Sequence, residues 1–202
     1  MGRSAYPDEV QRVAAAHGLS PALAFGLGEG LNLYYSRRPD ERPPHRVHVL
    51  PHAFAERVAA RLGQPRPAAI RESLVANARG VLVCTGDWHG LDAIERWSEE
   101  LSRWPRLAGW QTSIDAVVRL LQESDGLYRR HYADFLAIAT AEGVAVPEGA
   151  TRLDEIADAW LAIADRLARG DDLARVGSRI LRMASLESRF WATIIDRYAG
   201  GI

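Results

Sequence analysis

Residues 173–198 read Leu173-Ala174-Arg175-Val176-Gly177-Ser178-Arg179-Ile180-Leu181-Arg182-Met183-Ala184-Ser185-Leu186-Glu187-Ser188-Arg189-Phe190-Trp191-Ala192-Thr193-Ile194-Ile195-Asp196-Arg197-Tyr198. Leu173, Val176, Ile180, Met183/Ala184, Trp191, Ile194 and Tyr198 recur at three- and four-residue steps. That period predicts one long amphipathic helix from Asp172 to Tyr198. Glu187 takes a slot on the apolar stripe between Ala184 and Trp191. A carboxylate there is costly unless it is paired or protonated. Two readings are open: an ion pair with Arg129 or Arg130, or an acid or base with a raised pKa.

The same period recurs upstream. Leu153, Ile156, Trp160, Ala164 and Leu167 form one stripe, opened by Thr151-Arg152-Leu153-Asp154 as a capping box. Leu127/Tyr128, His131, Phe135 and Ile138 form another on a helix from Leu127 to Ala141, which turns His131 inward. Ile114, Val117, Val118 and Leu121 form a third. Leu91, Ile94, Trp97, Leu101 and Trp104 form a fourth, ended by Pro105. Ile70, Leu74 and Ala78, then Phe54, Val58 and Leu62, mark two more on either side of the linker Gln64-Pro65-Arg66-Pro67. Val81 to Thr85 suits a strand or a loop. Two short helices open the chain, Pro7 to His17 and then one started by the Ser20-Pro21 cap.

Only one region departs from helix. Leu31-Asn32-Leu33-Tyr34-Tyr35 alternates and is aromatic-rich, as a strand does. Arg46 to Leu50 is a second β-like run across the proline-broken loop 37–44, so the two pair as a hairpin. The fold class is therefore α+β, mainly α-helical, with a small amino-terminal β element packed on a helical domain. The division falls at 1–64 and 65–202, within one compact unit.

Composition narrows the chemistry. All 25 basic side chains among the 202 residues are arginine. Without lysine there is no imine catalysis and no P-loop lysine. Cys84 is alone, so neither an internal disulfide nor a four-cysteine zinc site exists. No apolar run is long enough to span a membrane and no apolar signal core opens the chain, so a cytoplasmic protein is expected. Net charge is −1 overall, with a basic first part and an acidic remainder. Arginine is not concentrated enough for a nucleic-acid face.

Four local patterns remain. Gly26-Leu27-Gly28-Glu29-Gly30 lacks the third fingerprint glycine, and the expected strand and helix are in reversed order, so it is a turn rather than a dinucleotide loop. Glu29 sits in that turn, on the surface or pointing into a cavity. His45-x-x-His48-x-x-x-His52 has metal-like spacing, but on a strand His45 and His48 face opposite ways, and one polar pocket histidine is the better reading. Asp87-Trp88-His89-Gly90 is a loop before a helix.

Two stretches resemble a known family. His17-Gly18-Leu19-Ser20-Pro21-Ala22-Leu23-Ala24-Phe25-Gly26-Leu27-Gly28-Glu29-Gly30-Leu31, followed by Asn32-Leu33-Tyr34-Tyr35, resembles the amino-terminal domain of the butirosin biosynthesis protein H family. Ser124-Asp125-Gly126-Leu127-Tyr128-Arg129-Arg130-His131-Tyr132-Ala133-Asp134-Phe135-Leu136 resembles the helical domain that usually follows. Gly90-Leu91-Asp92 with Trp97 and Trp104, and Ala184 to Phe190 with Glu187, fit that second domain as well.

The resemblance implies a cysteine acyltransferase scaffold with a papain-like core, set in natural-product biosynthesis. The family's proposed nucleophile lies in a His-Cys pair, which here falls on Ser4-Ala5. Its partner histidine and aspartate have only a linker, between Gly63 and Ile70, to fall on. The scaffold is therefore expected without the thiolate mechanism. The expected function is a small-molecule enzyme of secondary metabolism that uses cofactor-independent acid–base catalysis, such as cyclisation, condensation or isomerisation. Glu29, His131 and Glu187 are the proton-transfer candidates. Asn32, Tyr34, His48, Trp88, His89, Tyr128 and Arg129 are the pocket candidates, with no metal and no cofactor. The expected ligand is a biosynthetic intermediate, free or carrier-bound, and a homo-oligomer is compatible. Two alternatives stay open: acyl transfer or thioester hydrolysis on Cys84, and a non-catalytic partner in a biosynthetic complex.

Overall fold

The computed structural model describes residues 6–31, 33–49, 53–82 and 89–201. Within them the chain is mainly helical, with one two-stranded antiparallel sheet near the amino terminus. Asn32, His52, Cys84, Asp87 and Trp88 lie outside the described residues.

Helices α1 (Asp8–His17) and α2 (Pro21–Leu27) open the fold. Ser20 caps α2 by accepting the Leu23 N–H at 3.2 Å, with Pro21 in the first turn, as the sequence predicts. The glycine turn follows. Gly30 N–H reaches Phe25 O at 3.0 Å, and a Cβ on Gly30 would lie 2.3 Å from the Phe25 ring. That close approach buries Leu31 completely and delays the strand. Strand β1 is Leu33–Arg37 rather than 31–35. It pairs with β2 (His45–Val49) in the register Leu33↔Val49, Tyr35↔Val47 and Arg37↔His45. Arg38 N–H to Pro44 O at 2.7 Å carries the ladder one step beyond, so β2 starts a residue earlier than its sequence suggests.

Helices α3 (Phe54–Leu62), α4 (Arg66–Leu82), α5 (Gly90–Leu101) and α6 (Trp110–Glu123) follow. The expected linker at 64–67 is partly helical. Pro65 O accepts from Ala68 and Ala69, so α4 begins at Arg66, and Val81 belongs to its last turn rather than to a strand. Helices α7 (Arg129–Ala141), α8 (Gly149–Ala168) and α9 (Leu173–Tyr198) complete the fold. The last helix matches its sequence stripe from end to end. Helix α8 starts at Gly149, ahead of the expected Thr151 cap, because Gly149 packs directly on Leu136 and Val146.

The entry to α7 is the main local departure. Asp125, Gly126, Leu127 and Tyr128 all have left-handed φ, between 50° and 77°. Ser124 Oγ accepts the Leu127 N–H at 3.0 Å inside that turn. The helix therefore starts two residues late, and Arg129 enters the core at its first position. One hydrophobic core runs through residues on both sides of position 64, from Val10 and Phe25 to Trp160 and Ile194. Helix α9 lies at its centre, against α4, α5 and α8. Among the described residues no helix is long and apolar enough to cross a membrane.

Gly126 is doubly constrained. Its φ is 77°, and a Cβ would lie 2.5 Å from Ala157 Cα. Gly143 shares the φ of 77° but faces open space. Left-handed strain alone costs roughly 1–2 kcal/mol, and overpacking adds about 1–3 kcal/mol. Gly126→Ala should therefore lower Tm clearly more than Gly143→Ala. Equal shifts in thermal melts would refute the close α7–α8 approach.

Candidate functional site

The candidates divide into a buried group and a hairpin group. Glu187 and Arg129 are both fully excluded from solvent. Arg129 Nε donates to Glu187 Oε1 at 2.8 Å, and Nη2 stands equally close, off the hydrogen-bond angle. Arg129 Nη1 donates to Leu127 O at 2.8 Å. Trp160 Nε1 donates to Oε1 at 3.1 Å, and Trp191 Nε1 to Oε2 at 2.8 Å. Every partner of the carboxylate is a donor, so both of its oxygens are engaged as acceptors within the core. Of the two arginines considered, Arg129 takes it. Arg130 turns outward to Asp125 and Asp158. His131 is 1% exposed and sits edge-on to Tyr6 at 4.4 Å and to Tyr128 at 5.4 Å. The Tyr128 ring leans on Phe25, and burial raises its hydroxyl pKa, with Glu123 adding to the rise. These four side chains build the core around the start of α7.

Glu29, Tyr34, His48 and His89 come together elsewhere. Tyr34 and His48 are cross-strand partners, and their rings stack at 5.0 Å with only 10° between planes. His89, at the start of α5, makes an antiparallel bridge to Tyr34 and brings its ring to 6.0 Å. Burial raises the Tyr34 hydroxyl pKa, Arg57 opposes that rise, and Glu29 adds to it. The phenol therefore stays protonated at neutral pH and can donate. Glu29 holds a left-handed φ of 57°, a conformation that costs an L-residue roughly 1–2 kcal/mol. Its carboxylate is nearly buried and pairs with Arg57, and with Arg61 at 3.6 Å. Arg61 continues to Glu72. His48 also lines a cleft of about 490 Å³ with Ser36, Arg38, Arg46 and Val117, within the usual range for small-molecule pockets. The three expected proton-transfer groups thus occupy different places: Glu29 beside the hairpin, His131 and Glu187 in the core.

The opposite face of the hairpin carries a network that the sequence did not single out. Tyr35 Oη donates to Glu100 Oε2 at 2.9 Å, accepts from Trp104 Nε1 at 3.2 Å, and lies 2.8 Å from His45 Nδ1. The His45 ring stacks on Trp104 at 4.5 Å. Arg96 Nε is 2.8 Å from Glu100 Oε1, so Glu100 is an acceptor only. Tyr35 has one proton, which goes to Glu100. His45 must then donate Nδ1–H, leaving Nε2 a bare lone pair without a protein partner. A signal for Glu100 was present: it lies beside Trp97 and Leu101 on the apolar stripe of α5, as Glu187 lies between Ala184 and Trp191 on α9.

Volume does not follow this chemistry. A cleft of about 650 Å³ between α8 and α9 is lined by Glu148, Arg152, Glu155, Arg189 and Phe190, none of them a candidate. Among the described residues no three His, Cys, Asp or Glu side chains converge as metal ligands.

Burial drives the His45 pKa down to about 4, and Arg37 pushes the same way against an opposing effect of Glu100. A neutral folded-state imidazole facing an unfolded value near 6.5 means that the unfolded chain takes up a proton first as pH falls. Stability should therefore drop as pH falls from 6.5 to 4. Urea unfolding across that window should show a correspondingly smaller drop in His45→Gln. An identical pH profile would contradict the neutral, solvent-excluded imidazole.

No curated protein and no solved structure matches the chain. Residues 44–194 match the family described as Domain of unknown function (DUF4872). The matched segment contains β2 and begins after β1. Covering most of the chain, that match makes this protein a member of the DUF4872 family.

Proposed function

We propose that the chain is a small-molecule enzyme working by acid–base catalysis on the Tyr34 face of the hairpin, without a cofactor, in natural-product biosynthesis. One observation carries the reading. Tyr34 is held between His48 and His89, beside the Glu29–Arg57 pair, with His48 opening on the cleft. A protonated phenol polarises a carbonyl by donating to its oxygen. An imidazole is the side chain suited to exchanging a proton near neutral pH. Arg38 and Arg46, each paired with Glu41, make the cleft wall polar.

The reaction class is proton transfer beside a carbonyl, the step shared by cyclisation, condensation and isomerisation. The substrate is a biosynthetic intermediate, free or carried as a thioester. The resemblance to the butirosin biosynthesis protein H family supports the metabolic setting, and the placement of Ser4-Ala5 where that family has His-Cys supports a route without a thiolate.

The test is deuterium exchange. The purified chain, incubated in D2O with a panel of β-ketoacyl thioesters and 2-keto acids, should speed exchange at the carbon beside the carbonyl. His48→Ala and His89→Ala should each slow that exchange by about 10²–10⁴-fold, and Cys84→Ala should leave it unchanged. No accelerated exchange with any panel member, or undiminished rates in both histidine variants, would refute the reading. Loss of exchange in Cys84→Ala would favour acyl chemistry instead.

A further inference from the structure

A second cleft, of about 200 Å³, lies on the other face of the hairpin. Arg37, Arg103, Arg106, His45, Glu100 and Leu107 line it. Two other arginines of the hairpin, Arg38 and Arg46, both pair with Glu41. Among the described residues no ion pair is made by Arg37, Arg103 or Arg106. The one carboxylate in the cleft is paired with Arg96 and accepts from the Tyr35 hydroxyl. Among the described residues, three arginines therefore line a small space without an ion-pair partner of their own.

The wall adds a second observation. His45 is 3% exposed, and its Nε2 has no protein partner. The hydrogen-bond chain from Glu100 through Tyr35 fixes that nitrogen as an acceptor. Arginine charge thus lines the cleft, and one of its lining residues, His45, holds a buried acceptor without a partner.

We propose that the cleft framed by Arg37, Arg103 and Arg106 over the Tyr35–His45–Glu100 network is a binding site for an oxyanion, the carboxylate or phosphoryl end of a small molecule. Guanidinium groups match both oxyanions through paired N–H donors. A cleft of this size takes the charged end of a ligand rather than a whole substrate. Hydrogen phosphate carries anionic oxygens, which suit the arginines, and an O–H donor, which suits an unmatched imidazole acceptor. The site is separate from the Tyr34 face, since Tyr34 and Tyr35 are successive on one strand and point to opposite sides.

The test is calorimetric titration of the full chain at low ionic strength with inorganic phosphate and, separately, with malonate. Saturable one-site binding of either is expected. Arg103→Ser and Arg106→Ser should each weaken it about tenfold or more. Arg152→Ser, on α8 and away from the cleft, should leave it unchanged. Binding of phosphate alone assigns a phosphoryl end, and binding of malonate alone assigns a carboxylate end. No saturable binding of either anion, undiminished affinity in both cleft variants, or an equal loss in Arg152→Ser would overturn the proposal. None of these results depends on exchange at the Tyr34 face, so the two ideas fail independently.

Discussion

The fold depends on one ion pair that water never reaches. Arg129 and Glu187 meet at the centre of the helical layer, both fully buried. Two charges in such a place are destabilising unless every polar atom finds a partner. Here the partners are structural, and only Arg129 Nη2, 2.8 Å from the carboxylate, lacks a hydrogen bond of good angle. Trp160 from α8 and Trp191 from α9 donate to the carboxylate, and Leu127 O takes one guanidinium N–H. Trp97 from α5 stacks on Trp160 with 4° between planes. Tyr132 packs edge-on against Trp191 and, on its other side, near Phe25 of α2. A single carboxylate thereby fixes the relative positions of α5, α7, α8 and α9, and through Tyr132 reaches the amino-terminal helices. Removing one member strands a charge, which is why the pair sets a geometry rather than adding a simple increment of stability.

With the core fixed in this way, the chemistry that remains is sorted by the pleat of the hairpin. Tyr34 faces His48, His89 and the Glu29–Arg57 pair. Tyr35 faces His45, Glu100 and Trp104. Adjacent residues of the same type serve different environments because a strand alternates its sides. The absence of lysine gives both faces a common character. Each cation is a planar guanidinium that stays charged at any working pH, so proton transfer falls to imidazole, carboxylate and phenol, while arginine holds anions.

The helical part of the fold was legible because its stripes are long and regular. The α8 and α9 stripes agree with burial at Leu153, Trp160, Ile180, Glu187 and Trp191. Glu187 stood out as a carboxylate on an apolar stripe, and the pairing with Arg129 was one of its two readings. The same signal at Glu100 is masked in sequence, since Trp97 and Leu101 make that stripe read as purely apolar. His45 and His48 diverge as strand geometry demands. The left-handed run at 125–128 was not legible: Gly126 announces positive φ, but Leu127 and Tyr128 do not. The meeting of Tyr34 with His89 joins residues far apart in sequence through a single bridge, which no local pattern encodes. The expected roles of Asn32, Trp88 and Cys84 fall outside the described residues.

Whether Glu187 is a structural carboxylate is decided by a double-mutant cycle. Urea unfolding of Arg129→Leu, Glu187→Leu and the double variant measures the coupling between the two side chains. Each single variant should lose about 3–5 kcal/mol, because it leaves the other charge buried and alone. The double variant should lose much less than the two losses added together. Additive effects, or single losses below about 1 kcal/mol, would contradict a buried pair that organises the helices around it.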